Sequence, residues 1–439
     1  MFTYVKLKNF KSFGNICFDF KKTQKETKKF IAIYGENGSG KSNFVSVFEF
    51  MYYSFNSIKL NDVYNLITVN AKELSIKVPQ MPMNSILNQI SMKLNDYRMI
   101  GCSEPTTVEL GFEIDGIEGY YSVKFTDIIL SEELYYLCGK KRGKIFSLNS
   151  DDKKVSSGSF SSDYMEDFEK ALDKYWGKHT LFAILCREMN EKNPHYIESN
   201  VSKALLDVYY SLNKTFVSYT KYDLHVPLSG SGVESYSYDG ILPIKDEKLL
   251  DTNEKILNEL LVQLYPDIKC VYYEKKIKND KIEYSLHAKK VIANAIRDIP
   301  FDYESTGTRG LLRVLSAAVA VMNGETVIYD EIDSGIHDLL MKTLITSLAK
   351  AASGQLIITT HNTLLLESID SQSAYVIYMD CDGNKEARCI ADYGDRVQKN
   401  NNMRNLYLKG MYGGIPYTSE IDFSYILNTI ERAGDGNAE

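Results

Sequence analysis

Apolar and polar residues alternate from Tyr4 to Phe10 and again over Cys17-Phe18-Asp19-Phe20, with Lys11-Ser12-Phe13-Gly14 as a turn between them. A period of two marks a strand with one buried face, so the chain opens on a predicted antiparallel pair. Lys21 to Lys29 then reads as a solvated, lysine-rich hairpin tip. Phe30-Ile31-Ala32-Ile33-Tyr34 breaks the alternation. It is apolar throughout and partly β-branched, as a strand buried on both faces requires. Asn43 to Met51 reads as a helix that Tyr52 to Asn61 extends. Ser85 to Leu94 puts Ile86, Ile90 and Leu94 on one helical face, fenced off by Pro79 and Pro82. Thr106 to Ile114 and Gly119 to Phe125 alternate around Asp115-Gly116, a hairpin signature. Ile128 to Leu137 predicts one more strand, ending in the polar tip Gly139 to Lys144.

After a Ser-, Asp- and Lys-rich junction over 150–162, helical spacing returns. It predicts helices over Asp163–Tyr175, Thr180–Met189 and Val201–Phe216, the last with Val201, Leu205, Val208, Tyr209 and Leu212 on its apolar face. This block is too short for a long antiparallel coiled coil and has no sustained heptads. Tyr219 to Gly240, with Ser229-Gly230-Ser231-Gly232, reads as loop. Asn253–Leu264 predicts an amphipathic helix stopped by Pro266. Ile268–Tyr273 and Ile282–Ala288 predict a hairpin around the lysine-rich tip 276–281. Leu311–Met322 reads as a helix, and Thr326–Tyr329 and Gln355–Thr359 as buried strands. The expected class is α/β, with an added antiparallel sheet and a helical insertion. The expected division is 1–150, an insertion over 151–240, and 241–439.

Composition narrows the class further. The chain has 439 residues and a net charge of −7, so no bulk basic surface favours nucleic acid. Its seven cysteines (17, 102, 138, 186, 270, 381 and 389) are scattered, with no C-x-x-C pair, which argues against a disulfide framework or a zinc site. Residues 1–10 carry Lys6 and Lys8 in a strand pattern rather than a signal sequence. The longest apolar stretch, Leu311–Met322, is interrupted by Arg313 and is too short to span a bilayer. The expectation is a cytoplasmic protein without a membrane segment.

The chemistry centres on Gly35-Glu36-Asn37-Gly38-Ser39-Gly40-Lys41-Ser42, a G-x-x-x-x-G-K-[ST] loop between the buried strand and the helix. Its glycines free the backbone for amides to point at phosphate oxygens, and the helix N-terminus adds partial positive charge. Lys41 would reach the β- and γ-phosphates and Ser42 would ligate Mg²⁺. Asn37, Gly38, Ser39 and Gly40 complete the cradle. Downstream, Thr326–Tyr329 delivers Asp330 and Glu331. The first would hold Mg²⁺ from a strand expected beside the glycine-loop strand, and the second would polarise water. Gln355–Thr359 leads to His361, which could hydrogen-bond a γ-phosphate. A structural histidine at a strand end is the competing reading, and the order of the three features favours the site. Ser305 and Gly307 precede another helix and make a second anion site. Two such sites serve one triphosphate only if two protomers sandwich it.

This set resembles the ATP-binding-cassette ATPases of the SMC and OLD type. Leu7 to Phe13 resembles the family's opening strand and turn, Gly35–Ser42 its Walker A and Val327–Glu331 its Walker B. Ser305-Thr306-Gly307-Thr308 stands where the signature stands, Asp333 to His337 occupies the D-loop, and His361 takes the switch position. Glu304 to Arg309, Asp330 to Asp333 with His337, Thr359 to Asn362 and the tail Tyr407 to Tyr417 resemble stand-alone OLD-like ATPases of prokaryotic anti-phage systems. These are the abortive-infection AbiL/RloA type and the PARIS-system ATPase AriA. The resemblance covers about 1–50 and 300–420. It implies ATP and Mg²⁺ as ligands and hydrolysis by Glu331 with His361. It also implies an ATP-sandwiched homodimer or higher oligomer, a phage trigger, and a separate Toprim-like nuclease or toxin.

Three departures stand out. The signature is not L-S-G-G-Q, which weighs against a transporter subunit. The Q-loop glutamine has only positional candidates, Gln80 and Gln89. Only 78 residues follow His361 in the 439, so any nuclease is expected in another chain. The alternative is an SMC-like DNA-repair or recombination ATPase whose lysine tips at 140–144 and 275–281 contact DNA phosphates.

Overall fold

The computed structural model describes residues 1–74, 93–218, 238–396, 402–416 and 423–427. Its centre is a six-stranded sheet in the order Phe216–Ser218, Thr326–Tyr329, Gln355–Thr359, Phe30–Tyr34, Ala374–Met379 and Lys385–Cys389. The first five strands are parallel and the last is antiparallel. Successive side chains of a strand point to opposite faces. Ile31, Ile33, Ile328, Ile357 and Ile377 therefore enter one core, while Phe30, Ala32, Tyr34, Val327, Leu356 and Ile358 enter the other. This double burial is why these strands read as unbroken apolar runs.

The first core is closed by a seven-stranded antiparallel sheet running Lys153–Val155, Lys141–Asn149, Ile129–Cys138, Ile117–Phe125, Thr106–Ile114, Phe2–Phe10 and Phe13–Asp19. Between the two sheets lies the helix Lys41–Leu74. Its rings reach the antiparallel sheet and the helical block: Phe48 meets Phe2 at 4.9 Å, Phe50 stacks on Phe125 at 4.9 Å, and Phe55 meets Phe182 at 4.7 Å. Gln355 ties the sheets together. Its side chain accepts from the Phe2 amide at 2.7 Å and donates to the carbonyls of Phe2 and Lys28 at 2.8 and 2.9 Å. The second core holds the helices Glu247–Leu264, Thr306–Met322 and Asp338–Ala351, together with a four-stranded sheet built on the hairpin Ile268–Lys278/Lys281–Ile292.

A helical block packs on the antiparallel sheet through a buried carboxylate. Glu132 accepts from Tyr121 Oη at 2.8 Å, Trp176 Nε1 at 3.0 Å and the Leu181 amide at 2.8 Å. Burial pushes its pKa up to about 7, against the pull of those donors.

Several expectations need correction. The acid strand Thr326–Tyr329 does not adjoin the glycine-loop strand, because Gln355–Thr359 lies between them and pairs with both. Val201–Phe216 is not one helix. Val201 ends the helix Pro194–Asn200, Ser202 caps a new helix Lys203–Asn213, and Phe216–Ser218 is a strand of the central sheet. The stretch 151–240 thus carries helices and also an edge of the central sheet. The tip expected over 139–144 shrinks to a turn at Gly139-Lys140, since Lys141 to Lys144 belong to a strand. The tip over 276–281 likewise shrinks to Asn279-Asp280, both left-handed as a tight hairpin turn demands. The helix expected over 85–94 lies outside the described residues, apart from a short 3₁₀ turn beginning at Leu94. Gln80 and Gln89 lie outside them too. All seven cysteines are unpaired.

Candidate functional site

The glycine loop leaves the strand Phe30–Tyr34 and ends at Lys41, the first residue of the long helix. Gly38 and Gly40 hold φ of 83° and 111°, left-handed values that a Cβ disfavours. Gly40 also has no room for a side chain, because its Cβ would lie 2.7 Å from the Phe13 ring. Lys41 curls onto the loop and donates to the carbonyls of Gly35 at 2.8 Å and Glu36 at 3.0 Å. Burial lowers its pKa, opposed by Glu331, Asp330 and Asp333. Ser39 Oγ is buried and has no hydrogen-bond partner among the described residues.

Opposite the loop stand the ends of two neighbouring strands. Asp330 is buried; burial raises its pKa, while hydrogen bonds from Thr359 and Ser42 hold it down. Thr359 Oγ1 donates to Asp330 Oδ1 at 2.6 Å and accepts from the Glu331 amide at 2.8 Å. That clamp holds Glu331 at φ 47°, a left-handed conformation rare for a residue with a side chain. The turn aims the chain away from the strand axis just where the second acid begins. The Thr359→Val variant leaves both groups without this partner. Expected is a loss of about 1–3 kcal/mol in denaturant unfolding, which Thr359→Ser restores.

Asn37, Gly38, Gly40, Lys41, Ser42, Asn43, Glu331 and His361 line one cleft of about 180 Å³. The His361 amide donates to Asp333 Oδ2 at 3.2 Å. Burial and Lys41 lower the imidazole pKa, opposed by Asp333 and Asp330. The cleft therefore joins the glycine loop, the Ser42 hydroxyl, the Glu331 carboxylate and the His361 imidazole, with Asp330 hydrogen-bonded to Ser42. Hard oxygen donors of this kind suit Mg²⁺. A larger hollow of about 670 Å³ lies beside Phe50 and His179, but none of the residues singled out from the motifs lines it.

Ser305 and Gly307 are not in the cleft. Ser305 caps the helix Thr306–Met322, its Oγ accepting from the Thr308 amide at 3.1 Å, and its side chain is exposed. Gly307 packs against the loop after Glu331, where an added Cβ would lie 2.4 Å from the Gly335 carbonyl oxygen. The segment expected to make a second anion site is thus joined to the Asp333–His337 loop through Gly307, with Ser305 exposed. Sequence reasoning missed Lys385, which reaches the glycine loop from the last strand of the central sheet. It also gave no role to the tail, where a Cβ added at Gly414 would lie 3.4 Å from the Gly35 Cα and Tyr407 meets Tyr34 at 5.6 Å. Neither contact has a local pattern that could announce it.

Residues 190–367 match the family described as AAA domain, putative AbiEii toxin, Type IV TA system. This part of the chain is similar to an AAA-type ATPase domain. It contains Ser305, Gly307, Asp330, Glu331, Asp333 and His361 and leaves the glycine loop outside. No curated protein matches the chain. Among solved structures, the SMC head domain from Thermotoga maritima is 15% identical, covering 88% of this chain and 98% of its own, with a TM-score of 0.38. An Smc head bound to the C-winged helix domain of ScpA is 16% identical, with coverages of 88% and 97% and a TM-score of 0.42. An Smc head with an extended coiled coil, bound to the C-terminal domain of ScpA and derived from Pyrococcus furiosus, is 14% identical. Its coverages are 88% and 95% and its TM-score 0.41. The chain has an α/β fold, with the glycine loop at the end of a strand of its central sheet. No described helix is long and apolar enough to cross a membrane.

Proposed function

We propose that the chain binds and hydrolyses ATP in a head-to-tail homodimer, as an OLD-like sensor or scaffold that controls a separate nuclease or toxin in anti-phage defence. The observation that carries the composite site is the separation just described. The cleft holds the glycine loop, Glu331 and His361, with Asp330 one residue before Glu331, while Ser305 is exposed and Gly307 packs on the Gly335 carbonyl, both outside that cleft. In this reading Lys41 and the loop amides bind the phosphates, and Ser42 and Asp330 hold Mg²⁺, which neutralises charge between the β- and γ-phosphates. Glu331 takes a proton from the attacking water and His361 contacts the γ-phosphate. The partner's copies of the signature and of the Asp333 loop complete the site, so assembly is itself the control step. The lobes 1–150 and 241–439 form the head, and 151–240 is read as the insertion through which a trigger or effector is engaged. The defence setting draws on motif resemblance and on the matched family's description, which names a toxin and a type IV TA system.

Complementation tests the composite site. Lys41→Ala spoils one half and Ser305→Arg, at an exposed position, the other. Each variant alone is expected to lose turnover. Mixed, they form dimers in which one site pairs an intact glycine loop with an intact signature, and activity returns in part. Two inactive variants that stay inactive when mixed, despite forming dimers, would refute a site shared between protomers.

The DNA-clamp alternative needs free cations at its two tips. Lys144 pairs with Glu133 at 2.6 Å, Lys275 with Asp251 at 2.6 Å, and Lys278 with Glu283 at 3.2 Å. These ion pairs leave the acidic chain less suited to phosphate contacts there.

A further inference from the structure

The strand Lys385–Cys389 is the last of the central sheet, antiparallel to Ala374–Met379. Its first residue turns back toward the glycine loop. Lys385 Nζ donates to the Gly38 carbonyl at 2.7 Å and to Ser12 Oγ at 2.9 Å. Ser12 Oγ accepts a second hydrogen bond from Asn43 Nδ2 at 2.7 Å. The ammonium also stands 5.9 Å over the Phe13 ring, the ring that packs against Gly40. Four separate pieces of chain meet at one cation: the opening turn, the tip of the loop, the start of the long helix and the last strand. Lys385 is 9% exposed. A buried ammonium persists only where acceptors replace its water.

We infer that Lys385 is a positioning residue for the phosphate cradle, holding the Gly38 peptide in the orientation that triphosphate and diphosphate require. This rests on the glycine loop being the nucleotide site, as proposed above. The physical argument is preorganisation. Gly38 is left-handed and has no side chain to restrain it, so its peptide can flip unless something outside the loop fixes the carbonyl. A charge-assisted hydrogen bond does that at the moment the loop is empty, and the ordering is then not required of the ligand. The ammonium also supplements Lys41 at the opposite end of the loop, adding positive potential where phosphate charge collects. Burial lowers the Lys385 pKa, with Glu36 opposing.

The test is equilibrium binding of a fluorescent ATP analogue and of ADP to the full chain, beside steady-state turnover. Lys385→Met removes the charge at similar length. Expected is about a tenfold weaker affinity for both nucleotides, with KM rising by the same factor and turnover at saturation falling far less. Lys385→Arg, which can still donate to Gly38 and Ser12, recovers most of the affinity. Ser12→Ala, which keeps the Gly38 contact, weakens binding by a smaller factor and guards against misfolding of the first variant. Unchanged affinity in Lys385→Met, with Lys41→Ala abolishing binding in parallel, overturns the assignment of Lys385. Unchanged affinity in Lys41→Ala overturns the nucleotide site itself.

Discussion

Glu331→Gln is expected to bind ATP as the parent does, to lose turnover by about 10²- to 10⁴-fold, and to accumulate as a closed dimer. The change keeps the size of a side chain whose backbone is fixed by the Thr359 hydroxyl, so the left-handed turn at 331 survives. Lys41, Ser42 and Asp330 are untouched, so affinity is retained. What disappears is the one carboxylate in the cleft not already hydrogen-bonded by Thr359, the group available to take a proton from water. A dimer that closes on ATP and reopens after hydrolysis then stays closed. Single-turnover phosphate release and sedimentation with and without ATP would check the three parts. Turnover within a few-fold of the parent would remove Glu331 from its proposed role.

The second large effect concerns stability rather than catalysis. Glu132 titrates in the folded chain near pH 7, above the ordinary 4.5. Between those values the folded state keeps a proton that the unfolded state has lost, so stability falls as pH rises through the window. The shift corresponds to roughly 3 kcal/mol, fully present below pH 4.5 and lost above about 7. Glu132→Gln should remove this slope. Its carbonyl can accept from Trp176 and Leu181, which share one carboxylate oxygen, while its amide can donate to the Tyr121 hydroxyl, which rotates to accept. The variant is therefore more stable than the parent at pH 8 and similar at pH 5. Glu132→Ala strands all three donors and costs about 3–5 kcal/mol. Urea unfolding at the two pH values decides, and identical slopes for parent and Glu132→Gln would refute the role of Glu132.

Legibility in the sequence followed from range. Gly35 to Ser42, Asp330-Glu331 and His361 each announce themselves within a few residues, because phosphate binding and strand-end chemistry depend on local backbone. The central strands were readable because burial on both faces removes polar positions. Their order was not: nothing local tells Thr326–Tyr329 that Gln355–Thr359 will lie between it and the glycine-loop strand. The strand Phe216–Ser218 is not legible, its first residue reading as the end of the helix expected over Val201–Phe216, because three residues are too few to carry a period. Ala295–Pro300, at the rim of the small sheet, has mostly exposed side chains and so no apolar alternation to read. Lys385 and Glu132 were invisible for a further reason. Each is a polar residue in a strand, and its importance comes mostly from partners more than forty residues away in sequence, Tyr121 beside Glu132 being the exception.

The helix that begins at Lys41 runs for 34 residues, which at 1.5 Å per residue is about 50 Å. One end carries the lysine and serine of the glycine loop, while its first turns are gripped by the rings of the antiparallel sheet and of the helical block. Such a rod is a lever with its fulcrum in the core. A tilt of about 5° at the nucleotide end would sweep the far end through about 4 Å. Hydrolysis could then be read at a distance from the phosphates.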